Sequence, residues 1–173
     1  MIISIEELKN RLEGVTGADE NISANLEAIE SIIRKYTNNN FQVRDIRFFG
    51  HSEGNNVYGS PRFFAVGDTV QISGSGVNDG LYKVASVSED RLTLNKPLFE
   101  VDYNLVTKIK YPADVIQCAV DLYDWKRKNG GKVGVKSETL SRHSVTYEDS
   151  ATLFMGYPVG ILKGLSLYRK ARC

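Results

Sequence analysis

The first forty residues alternate apolar and polar positions with a helical period. Ser4 precedes Ile5, Leu8 and Leu12, which share one face; Glu7 completes a capping-box pattern, and Gly14 is placed to stop the turn. A second box pattern, Thr16 to Asp19, leads into Ile22, Leu26, Ile29, Ile33 and Tyr36. Their spacing predicts an amphipathic helix that ends near Tyr36, where Asn38-Asn39-Asn40 breaks the pattern.

The period then changes to two. Phe41–Val43 and Ile46–Phe48 read as short strands, and His51 to Pro61 as a polar, glycine-rich loop. Thr69 to Ser73 alternates as a half-buried strand, Asn78-Asp79-Gly80 is a turn signal, and Leu81–Val87 returns. Leu92–Leu94 and Val101–Ile109 add two more strands, which predicts a small antiparallel module, an SH3-like barrel or a meander.

Helical spacing resumes at Pro112, placed as a first helical residue, with Val115, Cys118, Ala119, Leu122 and Trp125 on one face. Lys126, Arg127 and Lys128 fall in the last turn, and Asn129-Gly130-Gly131 closes it. A polar segment follows, with one alternating piece from Ser144 to Tyr147. A short helix from near Pro158 then carries Ile161, Leu162, Leu165 and Tyr168 on one side and runs into Arg169, Lys170 and Arg172. The expected class is mainly α: a helical frame of residues 1–40 and 112–173 with a β module inserted over 41–111, α+β overall. The stripes Ile22, Leu26, Ile29, Ile33, Tyr36 and Val115, Leu122, Trp125 are core or subunit-interface candidates. A helix as short as the last one is marginal alone, so it is expected to dock, in cis or in trans.

Charge narrows the function. The 22 basic and 21 acidic residues leave a formal net charge of +1, so there is no global basic field of the kind a general nucleic-acid binder uses. The clusters Lys126–Lys128 with Lys132, and Arg169, Lys170 and Arg172, complement helix C-termini or contact phosphate or an acidic protein surface. Cys118 and Cys173 are too far apart in sequence for a zinc motif or a disulfide framework, and no apolar run reaches the ~18 residues of a membrane span. The opening MIISIEELKN lacks the basic start and long apolar run of a signal peptide. His51 and His143 have no metal-ligand spacing, and neither a G-x-S-x-G elbow nor a phosphate-binding loop occurs. The carboxylates Asp68, Asp79, Glu89 and Asp90 sit at turns. No enzyme activity, cofactor or metal is expected.

Four segments in order resemble the head–tail connector (adaptor) proteins of tailed bacteriophages with long non-contractile tails, and of related prophages. Leu26 to Tyr36 with Asn40-Phe41 resembles the family's second helix and its exit. Val66–Ile72 with Asn78–Val84 is similar to the β insertion of many members, Ser137-Glu138 through Ser144–Tyr147 to the extended segment before the tail, and Gly156-Tyr157-Pro158 with Leu165 and Tyr168–Lys170 to the tail. The resemblance implies a structural virion protein of the neck, assembled in the bacterial host cytoplasm. It implies a ring, dodecameric by family resemblance, that sits under the portal vertex, extends the DNA channel and receives the next neck or stopper protein. Its partners would be further copies of itself, the portal protein and the stopper, with transient passage of double-stranded DNA and no membrane. The tail would dock on the portal through Tyr157, Pro158, Ile161, Leu162, Leu165, Tyr168, Arg169 and Lys170. Two alternatives stand beside it: another head or tail completion protein, and a nucleic-acid-binding module in which Phe63, Phe64, Tyr82 and Tyr103 of the barrel stack bases.

Overall fold

The computed structural model describes residues 2–130, 137–140, 143–146 and 153–171. The chain divides into two compact units, Asn40–Tyr111 and Met1–Asn39 with Pro112–Cys173.

The first unit is a closed antiparallel barrel. Its six strands are β1 (Gln42–Glu53), β2 (Asn56–Tyr58), β3 (Thr69–Ser73), β4 (Gly80–Val87), β5 (Arg91–Leu94) and β6 (Val101–Ile109). They follow one another around the barrel as β1-β2-β5-β4-β3-β6, and β6 closes on β1. The expectation of a mainly α chain is therefore corrected: strand and helix take comparable shares, and the closed element is the barrel. The discrepancy has a local cause. The two fragments expected around Phe41–Phe48 and the polar stretch from His51 belong to one 12-residue strand and its partner. Alternation puts His51 and Glu53 outside and Ser52 inside, so a strand half made of polar residues reads as loop. The break at Arg44-Asp45 is a shift of register against β6, between Val43 and Arg47.

Phe48, Val57, Phe64, Val70, Ile72, Val84, Leu92, Leu94 and Val106 fill the barrel. Phe48 and Phe64 meet edge to face at 5.6 Å. Two glycines are there for space: a Cβ at Gly50 would overlap the Tyr58 carbonyl, and one at Gly59 the Phe48 ring. The turn expected at Asn78-Asp79-Gly80 lies upstream. Gly74 and Gly76 hold the left-handed backbone, and Gly80 already opens β4.

In the second unit, α1 (Ile5–Arg11) starts as expected, with Ser4 Oγ accepting from the Glu7 N–H at 3.1 Å. Helix α2 (Asp19–Thr37) does not use the Thr16 box. Its cap is Ala18, which has no side-chain acceptor, and Asp19 and Glu20 complement the dipole instead. Asn38 ends it in the left-handed conformation, φ 48°. Pro112 is the cap of helix α3 (Ala113–Asn129), not its first helical residue, so the helix starts one position later than expected. Ile22, Leu26, Ile29 and Ile33 of α2 are buried, as are Val115, Cys118, Ala119 and Leu122 of α3; Tyr36 and Trp125 are half-buried.

Strands β7 (Ser137–Leu140) and β8 (His143–Thr146) pair as a hairpin, and β9 (Leu153–Phe154) pairs with β10 (Tyr157–Pro158). Met155 and Gly156 between β9 and β10 are both left-handed, the pattern of a type I′ turn. Helix α4 (Val159–Leu162) continues as a 3₁₀ helix over Lys163–Tyr168. Gly131, Lys132, Tyr147, Arg172 and Cys173 of the sequence reading lie outside the described residues. Among the described residues, no helix is long and apolar enough to cross a membrane.

Candidate functional site

The segment 153–171 contains no acidic residue and carries Lys163, Arg169 and Lys170. The structure seats it on its own helical unit. Tyr157, Pro158, Leu162 and Leu165 are buried, Ile161 and Tyr168 are half-buried, and Arg169 and Lys170 are exposed. The Cys118 thiol points at the Ile161 carbonyl, 3.7 Å away, and burial pushes that thiol up to about 12. Trp125 packs on Tyr157 at 5.9 Å and Tyr36 on Phe154 at 5.4 Å. Of the eight residues expected to dock on a portal, the ones that carry the most apolar surface are thus committed to the chain's own core.

Polar groups fasten the end of the segment. Thr37 O accepts from the Lys170 N–H at 2.8 Å. Asn38 Nδ2 donates to the Ala171 and Lys170 carbonyls at 2.9 and 3.3 Å, and Asn39 Nδ2 donates to the Tyr168 carbonyl at 3.1 Å. The Tyr168 hydroxyl donates to the Asp114 carboxylate at 2.8 Å, and that hydrogen bond raises the phenol's pKa. The Arg169 guanidinium lies over the Tyr36 ring, 5.4 Å from its centroid. In the sequence Asn38 and Asn39 read only as helix breakers. The signal that was available is three side-chain amides in a row at a helix end, more than a stop requires.

The other basic cluster is largely spent on structure. Lys126 Nζ donates to Asn25 Oδ1 at 2.7 Å, and Arg127 donates to the Gly14 and Glu13 carbonyls at 2.9 and 3.2 Å. Arg127 and Lys128 both pair with Asp124, at 2.7 and 2.6 Å, and their hydrogen bonds hold its carboxyl below the usual carboxylate range.

In the barrel, Asn78, Asn104 and Ser52 form a buried polar network that the sequence reading missed. Asn78 Nδ2 donates to the Phe99 carbonyl at 2.9 Å and to Ser52 Oγ and Asn104 Oδ1 at 3.1 Å, while Asn78 Oδ1 accepts from the Phe99 N–H at 2.8 Å. Asn104 Nδ2 donates to Ser52 Oγ at 3.1 Å and to the Gly50 carbonyl at 3.2 Å. Asp79 clamps the preceding loop, accepting from Ser75 Oγ at 2.8 Å and from the Ser75 and Gly76 N–H groups at 2.9 and 3.2 Å. Those bonds, the Ser75 hydroxyl's first, lower its pKa.

The four rings considered for base stacking are dispersed in role. Phe64 is core, and Tyr82 is half-buried and donates to the Asn78 carbonyl at 2.9 Å. Phe63 is exposed on a loop pinned by Lys108, which donates to the Phe63 carbonyl at 3.0 Å and pairs with Asp68 at 2.6 Å. Tyr103 is exposed and stacked on Phe49 at 4.9 Å. His51 stacks on Tyr58 at 4.8 Å, with Arg91 over the other ring. Among the described residues there is no cluster of His, Cys, Asp and Glu that could hold a metal ion. The sequence matches no family model and no curated protein.

Proposed function

We propose that the chain is a structural subunit of a bacteriophage neck: a head–tail connector that forms a ring under the portal vertex, extends the DNA channel and receives the next neck protein. The observation that carries this reading is the ordered set of four resembling segments, from Leu26–Tyr36 through to Tyr168–Lys170. The seated tail refines it. Tyr157, Leu162 and Leu165 are core, so docking through the tail's apolar face takes release of the segment from Thr37, Asn38, Asn39 and Asp114. Otherwise the tail offers a portal its exposed side chains, chiefly Met155, Leu167, Lys163, Arg169 and Lys170.

The test is the mass of the protein mixed with the matching portal protein, at several salt concentrations. A complex holding a full complement of this chain on each portal supports the reading. Absence of binding at every salt concentration refutes it. Removing the chain after Met155 would strip four buried side chains from the helical unit and so would not isolate docking. Substituting Arg169 and Lys170 by Glu tests the displayed surface without emptying the core.

A further inference from the structure

Exposed apolar side chains gather around the polar network of the barrel. Phe99, 69% exposed, has both backbone polar groups held by the Asn78 amide. Val77 adjoins Asn78, and Tyr103 adjoins Asn104. Phe49 stacks on Tyr103, and it adjoins Gly50, whose carbonyl accepts from Asn104. A Cβ at Gly74 would lie 3.7 Å from the Tyr103 ring, which places the Asp79-clamped loop against it. Ser52 and Asn104 turn inward on β1 and β6, so alternation turns Tyr103 outward, while Val77 and Phe99 are exposed on the loops that Asn78 joins. The result is a set of apolar side chains on a backbone fixed from beneath, the arrangement that lowers the ordering cost of an interface. Four exposed carboxylates lie within a few residues of these side chains along the chain, Asp79, Glu100, Asp102 and Glu53, against two exposed cations, Arg47 and Lys96. That excess of negative charge repels a phosphate backbone and favours a cationic partner.

The same chain displays the complement. Leu167 is 93% exposed, and exposed Lys163, Arg169 and Lys170 accompany it in the segment against one neighbouring carboxylate, Asp114, held by the Tyr168 hydroxyl, so the tip is net basic. We infer that the barrel patch of Phe99, Tyr103, Phe49 and Val77 receives the Leu167 tip of a second copy of this chain. Charge complementarity selects the occupant: an apolar knob with a basic rim enters an apolar patch with an acidic rim. Donor and acceptor are different surfaces, so the contact is made either twice, by reciprocal exchange in a closed dimer, or head to tail from copy to copy. The inference does not rest on the neck reading, because it concerns the free protein without a portal.

The test uses two full-length variants that alter exposed residues, Leu167→Glu and the pair Phe99→Lys with Asp102→Lys, in sedimentation velocity over a concentration series. The wild type is expected to associate with rising concentration, less so at high salt. Each variant alone should lose at least tenfold in association constant. An equimolar mixture should form a 1:1 heterodimer and stop there, since one partner keeps only its patch and the other only its tip. A wild type that stays monomeric throughout overturns the inference, as do variants that associate like wild type or a mixture that does not pair. Salt-sensitive binding of an oligothymidine that is lost in Tyr103→Ser would assign the patch to nucleic acid and overturn it equally. Portal binding can survive any of these outcomes, so the neck proposal stands or falls separately.

Discussion

Asn78 is the residue on which the barrel's loop end depends, and its replacement gives a strong test of the packing argument. The side chain is 1% exposed and makes four hydrogen bonds. In Asn78→Ala the Phe99 N–H and C=O, Asn104 Oδ1 and Ser52 Oγ each lose a partner. Ser52 Oγ keeps bonds to the Phe99 carbonyl and to Asn104, so the loss there is small. The Phe99 carbonyl likewise keeps Ser52 Oγ, and the Phe99 N–H loses its partner at a part-buried position. Asn104 Oδ1 is buried, and leaving such a group unpaired costs about 1–3 kcal/mol. With about 1 kcal/mol net for the Phe99 N–H bond, the total is about 2–4 kcal/mol. The probe has to report the barrel. The single tryptophan, Trp125, belongs to the helical unit, so its fluorescence follows the wrong transition. Hydrogen exchange of the β4 and β6 amides in urea follows the right one. Asn78→Ala should lower their opening free energy by about 2–4 kcal/mol and leave the α2 and α3 amides unchanged. A loss below about 1 kcal/mol would show that the network is replaceable by water and that the barrel end is not preorganised.

Three further outcomes follow from single sites. The Asp79 carboxyl is held below its usual range by Ser75 and Gly76, so its ionised form stabilises the folded loop. That contribution is complete above the ordinary carboxylate pKa of about 4 and fades as pH falls through the lowered folded value. The stability gap between wild type and Asp79→Asn should therefore be larger at neutral pH than in acid; a gap that grows in acid would contradict the assignment. The Tyr157 hydroxyl is buried with no hydrogen-bond partner among the described residues. Tyr157→Phe should be neutral or stabilise the helical unit by up to about 1 kcal/mol in urea unfolding followed by Trp125 fluorescence, and a clear loss would reveal a partner for that hydroxyl. Met155 occupies a left-handed position, φ 51°, that costs a non-glycine side chain about 1–2 kcal/mol and is better suited to asparagine. Met155→Asn should raise the midpoint of the same transition, and an unchanged midpoint would mean that the turn carries no strain.

The sequence by itself determined the elements whose hydrophobic spacing runs unbroken. Ile22 to Ile33 and Val115 to Leu122 are buried faces of α2 and α3, because a stripe at helical spacing can bury itself only as a helix. The Ser4 cap and the strands β3 to β6 were legible for the same local reasons: each depends on neighbours within a few residues. What only the tertiary structure decided are the features whose partners lie far along the chain. Ring closure needs β1 between β2 and β6, and half of β1 is polar because barrel strands show one face to water. Asn78 reads as a turn former until Ser52, Phe99 and Asn104, from other strands and loops, supply what a buried amide requires. Asn38 and Asn39 read as stops until the backbone at Tyr168 to Ala171 arrives beside them. Local patterns record burial and backbone preference. A long-range hydrogen bond leaves no period in the sequence, so the seat of the tail and the rigid barrel end came from the fold alone.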